Sequence, residues 1–125
     1  MVSMRYRENE PKDPRPMDVW NARVYFDDLS GAKNRPVIIL EKRGSDYTVL
    51  MSTTHGRHPN TDIRLYDPYE VGLDGSSCIR TDRLFKLPRD KINYYMGHMC
   101  DEDIEMVSTI YDELKQTRAY RRNIY

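Results

Sequence analysis

Cysteine is scarce in this chain: there are only Cys78 and Cys100, and neither belongs to a CxxC pair. That spacing argues against a structural zinc site and makes free thiols in a cytoplasmic protein the simplest reading. Long apolar runs are missing too. Nothing approaches the roughly 20 residues that a membrane-spanning helix needs, so no membrane partner is expected, and the N-terminus has no apolar stretch of the secretory type. Net charge of either sign is also absent, since Lys+Arg 20 balance Asp+Glu 20. The balance argues against a general nucleic-acid coat protein, which would be strongly basic, but leaves room for an RNA enzyme with a local basic groove. Tryptophan and phenylalanine are few (Trp 1, Phe 2), and Tyr 10 carries most of the aromatic surface, each ring with a polar tip.

What is present is enough for one domain with a modest core: 125 residues, 38% of them hydrophobic. Met1 to Pro16 is charged, carries Pro11, Pro14 and Pro16, and has almost no aliphatic residues. Such a segment buries too little surface to offset its ordering entropy, so residues 1–16 are expected to form a flexible tail. Residues 17–118 are expected to form the domain, and 119–125 a C-terminal tail.

Strand signals then follow one another. Asp18 to Phe26 is rich in aromatic and β-branched residues. Asp27 to Asn34 is polar, with Ser30-Gly31 as a turn signal. Val37-Ile38-Ile39-Leu40 is a continuous apolar run, the mark of a central strand buried on both faces. Arg43 to Asp46 is a turn, and Tyr47 to Ser52 returns to complete a hairpin. Shorter strands are expected at Asp62–Leu65, Ser76–Arg80, Leu84–Leu87 and Ile92–Met99, the last with Gly97 as a possible bulge. Asp101 to about Arg118 is the one convincing helix. Ile104, Val107, Ile110, Tyr111 and Leu114 form its stripe, Asp101, Glu102 and Asp103 suit its N-terminal dipole, and its N-cap is Cys100 or, chemically better, Asp101. Short strands followed by one amphipathic helix predict a mainly β, α+β fold: a small curled barrel closed or covered by the helix.

Two segments carry chemistry. In Ser77-Cys78-Ile79-Arg80-Thr81-Asp82-Arg83-Leu84-Phe85 an apolar strand ends in an arginine and an aspartate two residues apart, which on a strand face the same side. They present a cation and a proton acceptor together, or simply an ion pair. In Ser30-Gly31-Ala32-Lys33-Asn34-Arg35-Pro36-Val37-Ile38-Ile39-Leu40 a polar loop delivers another arginine directly before a buried strand. Arg35 alone reads equally well as a strand-end residue paired with Asp27 or Asp28, and Thr53 and Thr54 as partners of turn backbone. His55 and His58 fall in a loop after the second hairpin strand, where histidines are commonly just solvated.

The order of these pieces resembles the MazF/PemK-like toxins, the mRNA interferases of bacterial type II toxin–antitoxin systems. The resemblance runs from about Met17 to Leu114. It rests on Asp18-Val19-Trp20, the Ser30-to-Leu40 segment, Met51-Ser52-Thr53-Thr54 and Thr61-Asp62-Ile63-Arg64-Leu65. Gly72-Leu73, the Ser77-to-Phe85 segment, Gly97 and Asp101-Glu102-Asp103-Ile104 follow in order. It implies an SH3-like barrel with helices, a homodimer, and cleavage of single-stranded RNA with no metal or cofactor, restrained by a cognate antitoxin. By position it implies catalytic roles for Arg35, Thr53, Arg80 and Asp82, with Thr54, His55, His58 and Arg83 as substrate-binding neighbours. These residue types suit the chemistry: RNA carries its own 2′-hydroxyl nucleophile, a carboxylate can take its proton, and arginines and hydroxyls stabilise the charged phosphorane. The chain departs from the pattern at Met17, where the family has glycine, and at Cys100, where it has serine. Two alternatives stay open: a non-catalytic binding module on the same fold, and a gyrase poison like CcdB. The second is ranked last because Tyr120-Arg121-Arg122-Asn123-Ile124-Tyr125 lacks the Trp-Gly-Ile ending of that group.

Overall fold

A computed structural model describes residues 10–25, 31–53, 62–82 and 84–116. Among them are strands β1 (Asp18–Tyr25), β2 (Ala32–Arg43), β3 (Asp46–Thr53), β4 (Asp62–Ile63), β5 (Cys78–Arg80), β6 (Phe85–Pro88) and β7 (Ile92–His98), followed by helix α1 (Asp101–Lys115). All strand pairs are antiparallel. The order across the sheet is β4-β5-β3-β2-β1-β7, and β6 also pairs with β3.

The β2–β3 hairpin forms where the turn signal lay. Arg43 pairs with Asp46, and Gly44 takes φ 63°, a left-handed conformation that glycine adopts without a steric penalty. The strand itself starts earlier than the sequence reading placed it. Ala32, Lys33 and Asn34, expected in a loop, pair with Tyr25, Val24 and Arg23 as part of β2. The polar, exposed side chains of Lys33 and Asn34 suit a strand end with an open face, which is why composition alone read the segment as loop. The expected bulge is present: Val19 pairs with Gly97 and Trp20 with Tyr95, so Met96 is the extra residue.

Side-chain alternation along the strands divides the core into two clusters. Val19, Ile38, Leu40, Leu50 and Ile79 pack with Val107 and Tyr111 of α1. Trp20, Ala22, Val37, Ile39, Val49 and Met51 pack with Leu87 and Ile92 on the other side. The unbroken apolar run of β2 follows from this, because both of its faces are covered. Trp20 is core, and its ring meets Tyr95 edge-on at 5.7 Å between centroids. The mostly antiparallel sheet with a C-terminal helix agrees with the expected class, but among the described residues the sheet is not closed into a barrel. Pro88 ends β6 and has no N–H for a further ladder bond, and the 3-10 turn Arg89–Lys91 stands between β6 and β7.

Segment 10–16, expected to belong to the tail, makes defined contacts. Pro14 is buried, Arg89 Nη2 donates to Lys12 O at 3.1 Å, and Arg89 Nε donates to Asp13 Oδ1 at 3.2 Å. The segment ends on a buried carboxylate, Asp18, which is 0% exposed. Asp18 accepts from Arg15 N–H (2.9 Å), Arg15 Nη2 (3.1 Å) and Trp20 Nε1 (3.1 Å), and His98 Nδ1 lies 2.8 Å from it. Met17 just before it takes φ 71°, the left-handed region that glycine tolerates best. Bonds from Met17 N to Ile39 O and from Met99 N to Met17 O hold it there.

At the helix start the N-cap is Cys100, not Asp101, and its side chain makes no cap bond to the helix backbone. The thiol donates instead to Asp103 Oδ2 at 3.3 Å, and burial pushes it above the usual thiol range. Asp103, wholly buried, accepts from the backbone N–H of Tyr66 (2.6 Å) and Asp67 (3.0 Å) and so clamps the loop after β4 to the helix. At the other end the Tyr111 hydroxyl donates to Glu41 and ties the helix to β2. Both cysteines are free thiols. Among the described residues no helix is long and apolar enough to cross a membrane.

Candidate active site

Antiparallel pairing brings the start of β2 beside the end of β3, and β5 joins β3 at that same end through Ser52–Ile79 and Thr53–Cys78. The chain leading into β5 must therefore arrive there as well. A cleft of about 410 Å³ lies at this junction, lined by Lys33, Asn34, Arg35 and Pro36 from β2, Ser52 from β3, and Gly72, Leu73, Asp74 and Ser77 from the loop before β5. It contains two cations, one carboxylate and two hydroxyls, a donor-rich lining suited to an anionic ligand such as phosphate. Lys33 and Asn34 are exposed and Arg35 is half-buried, so the guanidinium lies inside the cleft and the ammonium at its rim.

The loop that closes the cleft is tightly built. Gly72, at φ 77°, ends the 3-10 turn Tyr69–Val71 by donating to Tyr69 O. Asp74 then folds the chain back through a carboxylate turn. Its Oδ1 accepts from Ser76 N–H at 2.9 Å, Ser76 Oγ at 2.6 Å and Ser77 Oγ at 3.3 Å. These bonds, the Ser76 hydroxyl first, hold the Asp74 carboxyl below the usual carboxylate range.

Arg80 and Asp82 are together, as the sequence suggested, in a bidentate pair. Arg80 Nε donates to Oδ1 at 3.2 Å and Nη2 to Oδ2 at 2.9 Å, with both side chains half-buried. Across the β4–β5 ladder Arg80 faces Asp62. Neither Arg80 nor Asp82 lines the cleft. Thr53 is the residue after the lining Ser52, at the last position of β3 opposite Cys78. Of the residues singled out in the sequence, Arg35 therefore lines the cleft, Thr53 borders a lining residue, and Arg80–Asp82 form a separate pair one strand over. Thr54, His55, His58 and Arg83 lie outside the described residues.

Sequence reasoning assigned no role to Asp74, Ser77 or Lys33. Asp74-Gly75-Ser76-Ser77 carries a turn signal that points to a fixed carboxylate, but nothing local shows that this turn meets β2, some forty residues earlier in the chain.

Three solved structures are alike in fold. An endoribonuclease from a mycobacterial species in complex with its cognate antitoxin is 17% identical, with TM-score 0.59 over 82% of this chain and 93% of that one. A MazE–MazF structure from Deinococcus radiodurans is 11% identical, with TM-score 0.64 over 86% of this chain and 100% of that one. The Mycobacterium tuberculosis toxin MazF-mt6 is 21% identical, with TM-score 0.55 over 76% of this chain and 96% of that one. No family model matches the chain, and no curated protein sequence does. The chain has the fold of the MazF toxins.

Proposed function

We propose that this protein is a toxin of the MazF type: a metal-independent endoribonuclease that cuts single-stranded mRNA in the cytoplasm, acts as a homodimer and is restrained by a cognate antitoxin. The observation that carries the reading is Arg35, set in a donor-rich cleft on a fold shared with endoribonucleases.

In this reading the Arg35 guanidinium binds the scissile phosphate through its fork of N–H donors. The 2′-oxygen attacks phosphorus, the bond to the 5′-oxygen breaks, and the products are a 2′,3′-cyclic phosphate and a 5′-hydroxyl. The 2′ proton goes to a carboxylate and the departing oxygen receives a proton in return. Asp82 is the carboxylate we assign as base. Arg80 orients Asp82 and adds positive charge for the phosphorane. The Thr53 hydroxyl donates to a non-bridging oxygen, and Thr54, His55, His58 and Arg83 extend the contact with the strand.

Purified protein should cleave single-stranded RNA in excess EDTA and spare an RNA with a 2′-deoxy target nucleotide. Arg35→Ala should lower the rate by roughly two orders of magnitude, the usual result of removing one charged stabiliser. An unchanged rate in Arg35→Ala would move the active site elsewhere. No cleavage by wild type across several RNAs, with no copurifying antitoxin, would favour the non-catalytic module.

A further inference from the structure

Tyr69 is 72% exposed, yet it stands on one of the best-anchored loops of the protein. Asp103 holds the loop start through Tyr66 and Asp67 N–H, and Asp67 Oδ1 accepts from Glu70 N–H at 3.3 Å. Behind the turn β7 approaches so closely that a Cβ at Gly97 would lie 2.6 Å from Glu70 O. The phenol of Tyr69 crosses the chain at Gly75, where a Cβ would meet its Oη at 3.0 Å. Gly75 follows Asp74, so the ring adjoins the cleft wall. An immobilised loop that keeps an aromatic face in water has already met the ordering cost of a binding surface.

The carboxylate beside it is equally prepared. The hydrogen bonds to the Asp74 carboxylate all fall on Oδ1, so its plane is fixed and Oδ2 remains open to an incoming donor. A carboxylate repels the phosphates of the strand, so its place in a cleft with Lys33 and Arg35 calls for a different part of the ligand. The part that fits is a base edge bearing N–H donors.

We infer that Tyr69 and Asp74 form a nucleobase subsite next to the Arg35 phosphate site, with the Tyr69 ring as stacking face and Asp74 Oδ2 accepting from an exocyclic amine. The inference rests on the ribonuclease reading and adds a preference to it. A base stacked on Tyr69 is favoured when it carries an amine, as cytosine does at N4, and disfavoured when a carbonyl stands there, as in uracil.

The test is fluorescence anisotropy with uncleavable 2′-O-methyl oligocytidine and oligouridine hexamers. Wild type should bind the cytidine strand more tightly by about tenfold, the usual worth of one specific base contact. Asp74→Asn, which offers an amide in place of the carboxylate, should abolish the difference between the strands. Tyr69→Ala should weaken both strands about tenfold or more, the loss of one stacked base. Glu105→Ala, at an exposed position of α1 that does not line the cleft, should change neither. Equal binding of the two strands by wild type, an undiminished preference in Asp74→Asn, or unweakened binding in Tyr69→Ala would overturn the subsite. If wild type binds strands in an Arg35-dependent way but ignores both changes, the subsite fails and the ribonuclease reading stands. If it binds neither strand, both fail.

Discussion

The buried Asp18 carboxylate offers the sharpest test of how this fold is held. Replacing it with alanine removes the acceptor shared by Arg15, Trp20 and His98. Two of these partners are half exposed, Arg15 53% and His98 42%, and they regain water. The Trp20 indole N–H, on a residue 3% exposed, does not, and an unsatisfied buried donor costs about 1–3 kcal/mol. A small void and the loosened 10–16 segment add to this. Breaking a buried charge pair from one side typically costs roughly 3–5 kcal/mol, and the exposed arginine and histidine put the total near the lower end, about 3 kcal/mol. For a chain of this size that corresponds to a Tm lower by about 10–15 °C. Urea unfolding should show a lower midpoint with an unchanged slope. His98→Ala should cost less than about 1 kcal/mol, as a half-exposed partner does, and 1 M salt should leave the wild-type interaction largely intact because the carboxylate is out of solvent. Asp18→Ala within 1 kcal/mol of wild type, or His98→Ala as damaging as Asp18→Ala, would refute the reasoning.

Asp103→Ala should destabilise the protein by about 2–3 kcal/mol, because the Tyr66 and Asp67 N–H groups lose their acceptor. Hydrogen exchange should then accelerate across residues 66–74 more than across β2 and β3, and uniform acceleration would show that Asp103 does not act through this loop. The proposed homodimer should appear in light scattering at micromolar concentration. Tyr25 and Tyr94, exposed aromatics on neighbouring strands β1 and β7, are the side chains to test at its interface, and a monomer under all conditions would count against it.

Local pattern was enough for much of this architecture. The β2–β3 hairpin, the stripe of α1 and the bulge at Gly97 are written in periodicity and turn residues, because burial on one face or two leaves a direct imprint on spacing. The nearness of Arg80 to Asp82 is likewise a matter of two residues, and Arg35 before a buried strand was visible as a cation delivered to a strand end. Partners brought together across the sheet left no such imprint. Asp18 looked like an ordinary strand-opening residue and is the buried acceptor for His98, eighty positions away. Asp103 looked like a dipole residue and is the clamp on Tyr66 and Asp67. The N-cap is Cys100 rather than the chemically better Asp101. Ala32 to Asn34 joined β2 although their composition reads as loop, because β1 supplied the ladder. The sequence by itself determined the main strands, the helix and most of the apolar core, since those depend on spacing within a few residues. Only the tertiary structure decided that Asp74 and Ser77 share a cleft with Arg35 while Arg80 and Asp82 turn to each other. Strand order and register set those distances, and neither is encoded in any short stretch of chain.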